Sequence, residues 1–190
     1  MFWTLLKLAA AYEGGIAIRE NMERHKYWNQ ARTHADSVGK PLLVVGRKRY
    51  FWQPENGDIT IDIDPVVQTI PGGVWADERD IPFPDRTFGA VYNAHTLEHL
   101  PNADDVERAV NECLRVGDKC IFLCPSPHSI LAACFCPSHH LRLFFDQTNN
   151  QIKVMDNRFR TGFGFESGDT SHQPPSLGQA LVTDTMPEII

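Results

Sequence analysis

The run Leu42-Leu43-Val44-Val45-Gly46 limits the possible folds more than any other feature, because it carries no polar side chain and closes on a glycine. A segment too short for a helix and without a polar face has to be covered on both sides. That is the position of a strand inside a parallel sheet. Residues 59–63, 73–76, 88–93 and 119–124 are short segments of related character and predict a second to a fifth strand, the last stopped by Pro125 and Pro127. Between the fourth and fifth, Val106, Ala109, Val110, Cys113 and Leu114 fall on one face at helical spacing over residues 104–114. Asn102 or Asp104 is placed to cap that helix. Short buried strands joined by helices and crossing loops predict an α/β fold built on one sheet. Residues 46–58 are too few for a full helix, so the first crossover is compressed.

The rest of the chain frames this unit. With 190 residues, 42% of them hydrophobic and 22% charged, there is material for one self-supporting core. Residues 1–38 read as N-terminal helices, with Gly14-Gly15 suggesting a break between two of them. Residues 39–160 form the α/β domain, and residues 161–190, rich in Gly, Ser, Thr, Pro and Gln, read as a flexible polar tail. Asn149-Asn150 is placed to turn a hairpin between residues 141–145 and 151–155. A net charge of -6 argues against nucleic acid as a partner, although Arg47-Lys48-Arg49 make a local basic cluster. Five cysteines without framework spacing fit a reducing, cytoplasmic setting. The first apolar stretch is interrupted by Lys7, whereas a spanning helix needs about 20 apolar residues and a secretory leader puts its positive charge first. An amphipathic helix is expected there, docked on the domain or making a weak membrane-surface or protein contact.

The most specific stretch covers residues 76–100 and reads Ala-Asp-Glu-Arg-Asp-Ile-Pro-Phe-Pro-Asp-Arg-Thr-Phe-Gly-Ala-Val-Tyr-Asn-Ala-His-Thr-Leu-Glu-His-Leu. It resembles the middle of the class I S-adenosylmethionine-dependent methyltransferases, in the broad type 11-like group that acts on small molecules, lipids and sugars. Thr60-Ile61-Asp62-Ile63-Asp64-Pro65 is similar to that family's second-strand acidic motif, and His139-His140-Leu141-Arg142-Leu143-Phe144-Phe145 to the His-Arg-Phe segment after its fifth strand. The resemblance implies a Rossmann-like, mostly parallel sheet with flanking helices. It would be short at the C-terminal edge, since only residues 141–165 remain for the last two strands. It implies S-adenosylmethionine as cofactor and methyl transfer to a small-molecule substrate, lipid- or sugar-like. Ligands of such sheets bind beyond the carboxyl ends of the strands. The implied cofactor contacts are Gly46 in the first loop, Asp62 on the ribose hydroxyls and Asp77 at the adenine amino group. Glu78 would meet the ring edge through its backbone, and Asn93 with Ala94 would lie along the methionine part. Ile81 and Phe83 are packing residues, Glu98 and His99 are structural in this family, and His95 faces the substrate mouth as a candidate acid/base. No metal is expected.

The first loop departs from the family. Where a glycine-rich run belongs, the chain has Gly46-Arg47-Lys48-Arg49-Tyr50-Phe51-Trp52, with Lys48 at the place of a second glycine. Bulk, and three cations beside a positive sulfonium, disfavour ordinary cofactor binding. Three readings stay open: the loop swings outward and admits the cofactor, the basic run holds an anionic ligand such as a phosphate, or the domain is a catalytically inactive binding or regulatory module. Phe51 and Trp52 are either an exposed contact surface or a lid over the pocket. Asp62-Ile63-Asp64 also fits the Asp-x-Asp pattern of metal-dependent glycosyltransferases, a reading that leaves Leu97-Glu98-His99 unexplained. Cys134-Phe135-Cys136-Pro137-Ser138-His139-His140 offers zinc-type ligands without the spacing of a finger, so buried thiols beside family-like histidines account for it better.

Overall fold

The structure is a computed structural model and describes residues 2–126, 129, 136, 138–156 and 179–189. Leu42–Val45 form strand β1, and all four residues are buried, as a run without a polar face requires. β1 pairs in parallel with β2 (Ile59–Asp62) on one side and β4 (Ala90–Ala94) on the other. β3 (Gly73–Trp75) extends the sheet past β2, and β5 (Cys120–Cys124) past β4, both also parallel. Beyond β5 lies β8 (Gln179–Thr183), antiparallel, so the sheet order is β3-β2-β1-β4-β5-β8. A second sheet joins the hairpin β6 (Leu141–Asp146) and β7 (Gln151–Asp156) to β9 (Glu188–Ile189). Asn150, at φ 52, takes the left-handed position in the hairpin turn, where asparagine is tolerated.

Each face of the main sheet has its own cover. Leu43, Val45, Val91, Cys120 and Phe122 point to the side of α2 (Ala103–Val116) and pack on Val106, Ala109, Val110, Cys113 and Val116, together with Leu141, Leu143 and Phe145 of the hairpin. Asn102 caps α2 by accepting the Asp105 N–H at 2.9 Å. The alternate residues Leu42, Val44, Ala90, Tyr92, Ile121 and Leu123 meet Ala31 and Ala35 of α1 (Phe2–Ser37), with Tyr27 and Trp28 at the margin. The helix comes close because its contact residues are small and because Gly89 has no side chain. A Cβ there would lie 2.8 Å from the Ala35 Cα. Arg115 fixes the loop after β3 on α2 by donating to the carbonyls of Phe83 (2.8 Å) and Ile81 (2.9 Å). Phe83 meets Phe88 edge to face, so Ile81 and Phe83 are packing residues as expected.

Three expectations need correction. α1 is one continuous helix through Gly14-Gly15. Glycine costs a helix about 1 kcal/mol but, unlike proline, keeps its backbone donor, so the hydrogen-bond ladder runs on. The antiparallel strand next to β5 does not come from residues 141–165. It is β8, whose Leu181 is fully buried in the core. The polar tail expected over residues 161–190 therefore contains two strands, while its part from 161 to 178 lies outside the described residues. The compressed crossover is present, with no helix between β1 and β2. No helix among the described residues is long and apolar enough to cross a membrane.

Candidate functional site

A cavity of about 780 Å³ opens over the carboxyl ends of β1, β2 and β4. Gly46, Asp62, Asp77, Glu78 and His95 all line it, so the fold brings together five of the six residues singled out from sequence. Asn93 does not line it. It is fully buried beneath the wall, where its Nδ2 donates to Glu78 Oε2 at 2.7 Å. Arg24 of α1, Thr96, Glu98, His99 and His139 also line it, and none of these has a role in the site on the sequence reading.

The first loop is anchored by glycine and by charge pairing. Gly46 has φ +84, and a Cβ there would come 3.0 Å from Thr96 Cγ2, so both conformation and space call for glycine. Its N–H donates to the Ile61 carbonyl at 2.8 Å, which seats the turn on β2. Each cation that follows meets a carboxylate. Arg47 pairs with Asp64 at 2.8 Å, Lys48 with Glu55 at 2.5 Å, and Arg49 stands 3.7 Å from Asp62. The repulsion expected from three bare cations is thus largely cancelled within the loop, and the same pairing weakens the reading of an anion cradle. Tyr50 lines the cavity and stacks on Trp52 at 4.8 Å, while Trp52 and the 86% exposed Phe51 lie outside the lining and form a surface rather than a lid packed into the cavity. His25 of α1 is hydrogen-bonded to the Trp52 carbonyl at 2.8 Å and ties the loop to the helix.

Asp62 ends β2 with its carboxylate nearly buried. One oxygen accepts the Arg47 N–H at 2.9 Å and the other the Asp64 N–H at 2.8 Å. A carboxylate offers about four lone-pair directions, so acceptor capacity remains on the cavity side. Asp64 caps the 3-10 turn Pro65–Thr69 with one oxygen and binds Arg47 with the other. Both of its oxygens serve the loop, which makes the Asp-x-Asp pattern a scaffold element here rather than a metal pair. Asp77 is gripped by Arg79, with the shortest contact at 2.6 Å, and that guanidinium holds its carboxyl below the usual range. Arg79 reaches on to Asp105 at the start of α2.

The opposite wall is built from buried polar groups. Burial pushes the Glu78 carboxyl up to about 7, opposed by hydrogen bonds from Thr96 Oγ1 (2.8 Å) and Asn93. After β4 the chain turns through His95, at φ 60, into the 3-10 turn Leu97–His99. Burial lowers the His95 imidazole well below its ordinary value, so it is neutral near pH 7. Glu98 is 2% exposed, and among the described residues neither of its carboxylate oxygens has a hydrogen-bond partner of good geometry, with the Cys124 thiol of β5 lying against it. Burial pushes this carboxyl up to about 8, and the field of Arg24 opposes the shift. Around it stand His95 Nδ1 at 3.8 Å and His139 Nε2 at 3.9 Å, while His99 packs edge to face on His139. The His140 N–H donates to the Glu98 carbonyl at 2.8 Å and so brings His139 to the site. Of the Cys134–His140 stretch, Cys136, Ser138, His139 and His140 are described. Cys136 lines the cavity, and Cys113, Cys120 and Cys124 are buried thiols in the core.

A parallel sheet ordered β3-β2-β1-β4-β5 with an antiparallel strand beyond, and a ligand-sized cavity at its carboxyl edge, is a Rossmann-like fold of the methyltransferase type. Residues 60–119 match the methyltransferase domain family. The match runs from β2 through α2, about a third of the chain, and the loop after β1 lies outside it. It is similar to the N-methyltransferase NodS of Bradyrhizobium japonicum WM9, solved with S-adenosyl-L-homocysteine, at 15% identity and a TM-score of 0.38 over 54% of this chain and 60% of that one. BH2331 of Bacillus halodurans C-125, described as a methyltransferase, aligns at 15% identity and a TM-score of 0.36 over 53% of this chain and 52% of its own. The chain therefore covers less than two thirds of either structure. No curated protein matches it in sequence.

Proposed function

We propose that the chain binds S-adenosylmethionine in this cavity and transfers its methyl group to a small-molecule, lipid- or sugar-like acceptor. The observation that carries this reading is Asp62, a strand-end carboxylate beside the obligatory glycine of the first loop, with acceptor capacity left toward the cavity. The residues fit the cofactor. Asp62 would accept the ribose hydroxyls, Asp77 the adenine amino group, and Gly46 would let the backbone pass close. The cavity volume lies within the range of about 300–1,000 Å³ usual for ligand sites. The bound cofactor supplies a methyl group already activated by its sulfonium, so the protein's task is alignment and exclusion of water. His95, neutral and facing the cavity, is the candidate to accept a proton from the acceptor, with burial making it a weak base. The buried thiols support a reducing compartment such as the cytoplasm. The exposed Trp3, Leu6 and Leu8 of α1 support a weak membrane-surface or protein contact.

Calorimetric titration with S-adenosylmethionine and S-adenosylhomocysteine tests the reading. Micromolar binding is expected, weakened roughly tenfold or more in Asp62→Ala because that change removes a charged acceptor. Absence of binding up to millimolar ligand overturns it and leaves the catalytically inactive binding module as the better account.

A further inference from the structure

We infer that Glu98, His99 and His139 form a binding site for a divalent transition-metal ion in the wall of the cavity. One ligand atom from each of the three lies within 4.8 Å of the others. The donor set of two imidazoles and one carboxylate suits zinc, cobalt, iron or manganese rather than the all-oxygen environments of calcium and magnesium.

Three features single this cluster out. Glu98 is a buried carboxylate to which, among the described residues, no group donates a hydrogen bond of good geometry, the Cys124 thiol lying against it, and this is a costly arrangement unless a cation or a proton completes it. Arg24 faces it from α1 and contributes positive field, but no hydrogen bond links the two. Second, Glu98 and His139 are spaced for a shared ion rather than for each other. His139 Nε2 stands 3.9 Å from Glu98 Oε1, beyond hydrogen-bond length. Ligands about 2.1 Å from one ion at a tetrahedral angle are about 3.4 Å apart, so a contraction of roughly half an ångström would close this pair on a metal. Third, His99 Nδ1 is held against the Ser138 carbonyl at 2.8 Å. A carbonyl only accepts, so Nδ1 carries the proton and the lone pair is on Nε2. Fixing the tautomer through the far nitrogen is how metal-bound histidines are oriented.

The site lies on loops that cross in the fold. Glu98 and His99 belong to the turn after β4, and His139 arrives from the segment leading into β6, tied by the His140 N–H to the Glu98 carbonyl. All three face the cavity, with His95 alongside at 3.8 Å from Glu98. Three protein ligands leave coordination positions open toward the cavity. On the methyl-transfer reading above, those positions would take an oxygen of the acceptor and favour hydroxyl-bearing acceptors, because a bound metal lowers the pKa of a coordinated hydroxyl.

The full chain, stripped with chelator, is titrated with Co²⁺ alone and read by its visible absorption and by calorimetry. Saturable binding with a visible ligand-field band is expected, weakened roughly a hundredfold in His139→Ala and in His99→Ala. Glu98→Gln, which keeps the shape of the side chain, should lose binding while near-ultraviolet circular dichroism shows the fold intact. The inference is overturned if no band appears at millimolar Co²⁺, or if folded His99→Ala and His139→Ala bind as wild type does. Titration of the same metal-free protein with S-adenosylhomocysteine separates the two readings. Cobalt binding without nucleoside binding keeps the metal site and sinks the cofactor reading, and the converse does the reverse.

Discussion

The two walls of the cavity solve opposite problems. The loop after β1 is rich in charge, yet Arg47, Lys48 and Arg49 each face a carboxylate, and the loop is partly open to water. The opposite wall carries fewer charges, but Glu78 after β3 and Glu98 after β4 are buried, and among the described residues neither carboxylate oxygen of Glu98 has a hydrogen-bond partner of good geometry. An exposed ion pair such as Lys48–Glu55 is worth little, so the outer part of the loop can rearrange at small cost. A buried carboxylate shifts the energy of its surroundings far more. The unusual sequence of the first loop is therefore the less consequential of the two regions, and the ordinary-looking Glu98-His99 pair is the more informative.

The largest effect expected from this contrast is a pH dependence set by the buried wall. The native state holds the proton on Glu78 up to about pH 7, whereas the unfolded chain releases it near 4.5. The native state thus binds more protons in that window, and stability must fall as pH rises through it, by about 3 kcal/mol from Glu78, with Glu98 adding to the fall in the same direction. Thermal melts across the window should show that fall, and Glu78→Gln should remove its share and leave that of Glu98. A wild-type melting temperature independent of pH would break the comparison. Gly46→Ala, at the junction of the two walls, should cost about 1–2 kcal/mol, because it forces a positive φ on a side chain that also presses on Thr96. Denaturant unfolding measures this. Lys48→Ala should change stability by less than about 0.5 kcal/mol, since its partner Glu55 is mostly exposed. A loss of several times that size would show the basic loop to be a rigid part of the wall.

Much of the scaffold was readable from local pattern. Uninterrupted apolar runs marked β1 and β5, helical spacing marked α2, and Gly46 stood out as the remaining glycine of a loop that needs one. Asn93 was harder. Its place at the end of β4 was clear, but whether it faced the cavity or its wall depended on Glu78 and Thr96, which come from other segments. His139 stands in a family-like segment and among the zinc-type ligands of residues 134–140, but nothing in the sequence pairs it with Glu98. The signal that could have found the cluster was the adjacent Glu98-His99 at a strand end, combined with a later histidine just before β6.

The sequence by itself determined the elements, their order and the glycine at the first turn, because steric and hydrophobic periodicity act between near neighbours. Only the tertiary structure decided that α1 runs unbroken over the sheet, that β8 closes the edge beside β5, that Asp64, Glu55 and Asp62 neutralise the basic loop, and that His139 meets Glu98. Those outcomes depend on contacts between residues far apart in the chain, where burial and charge pairing follow from packing that no local pattern encodes.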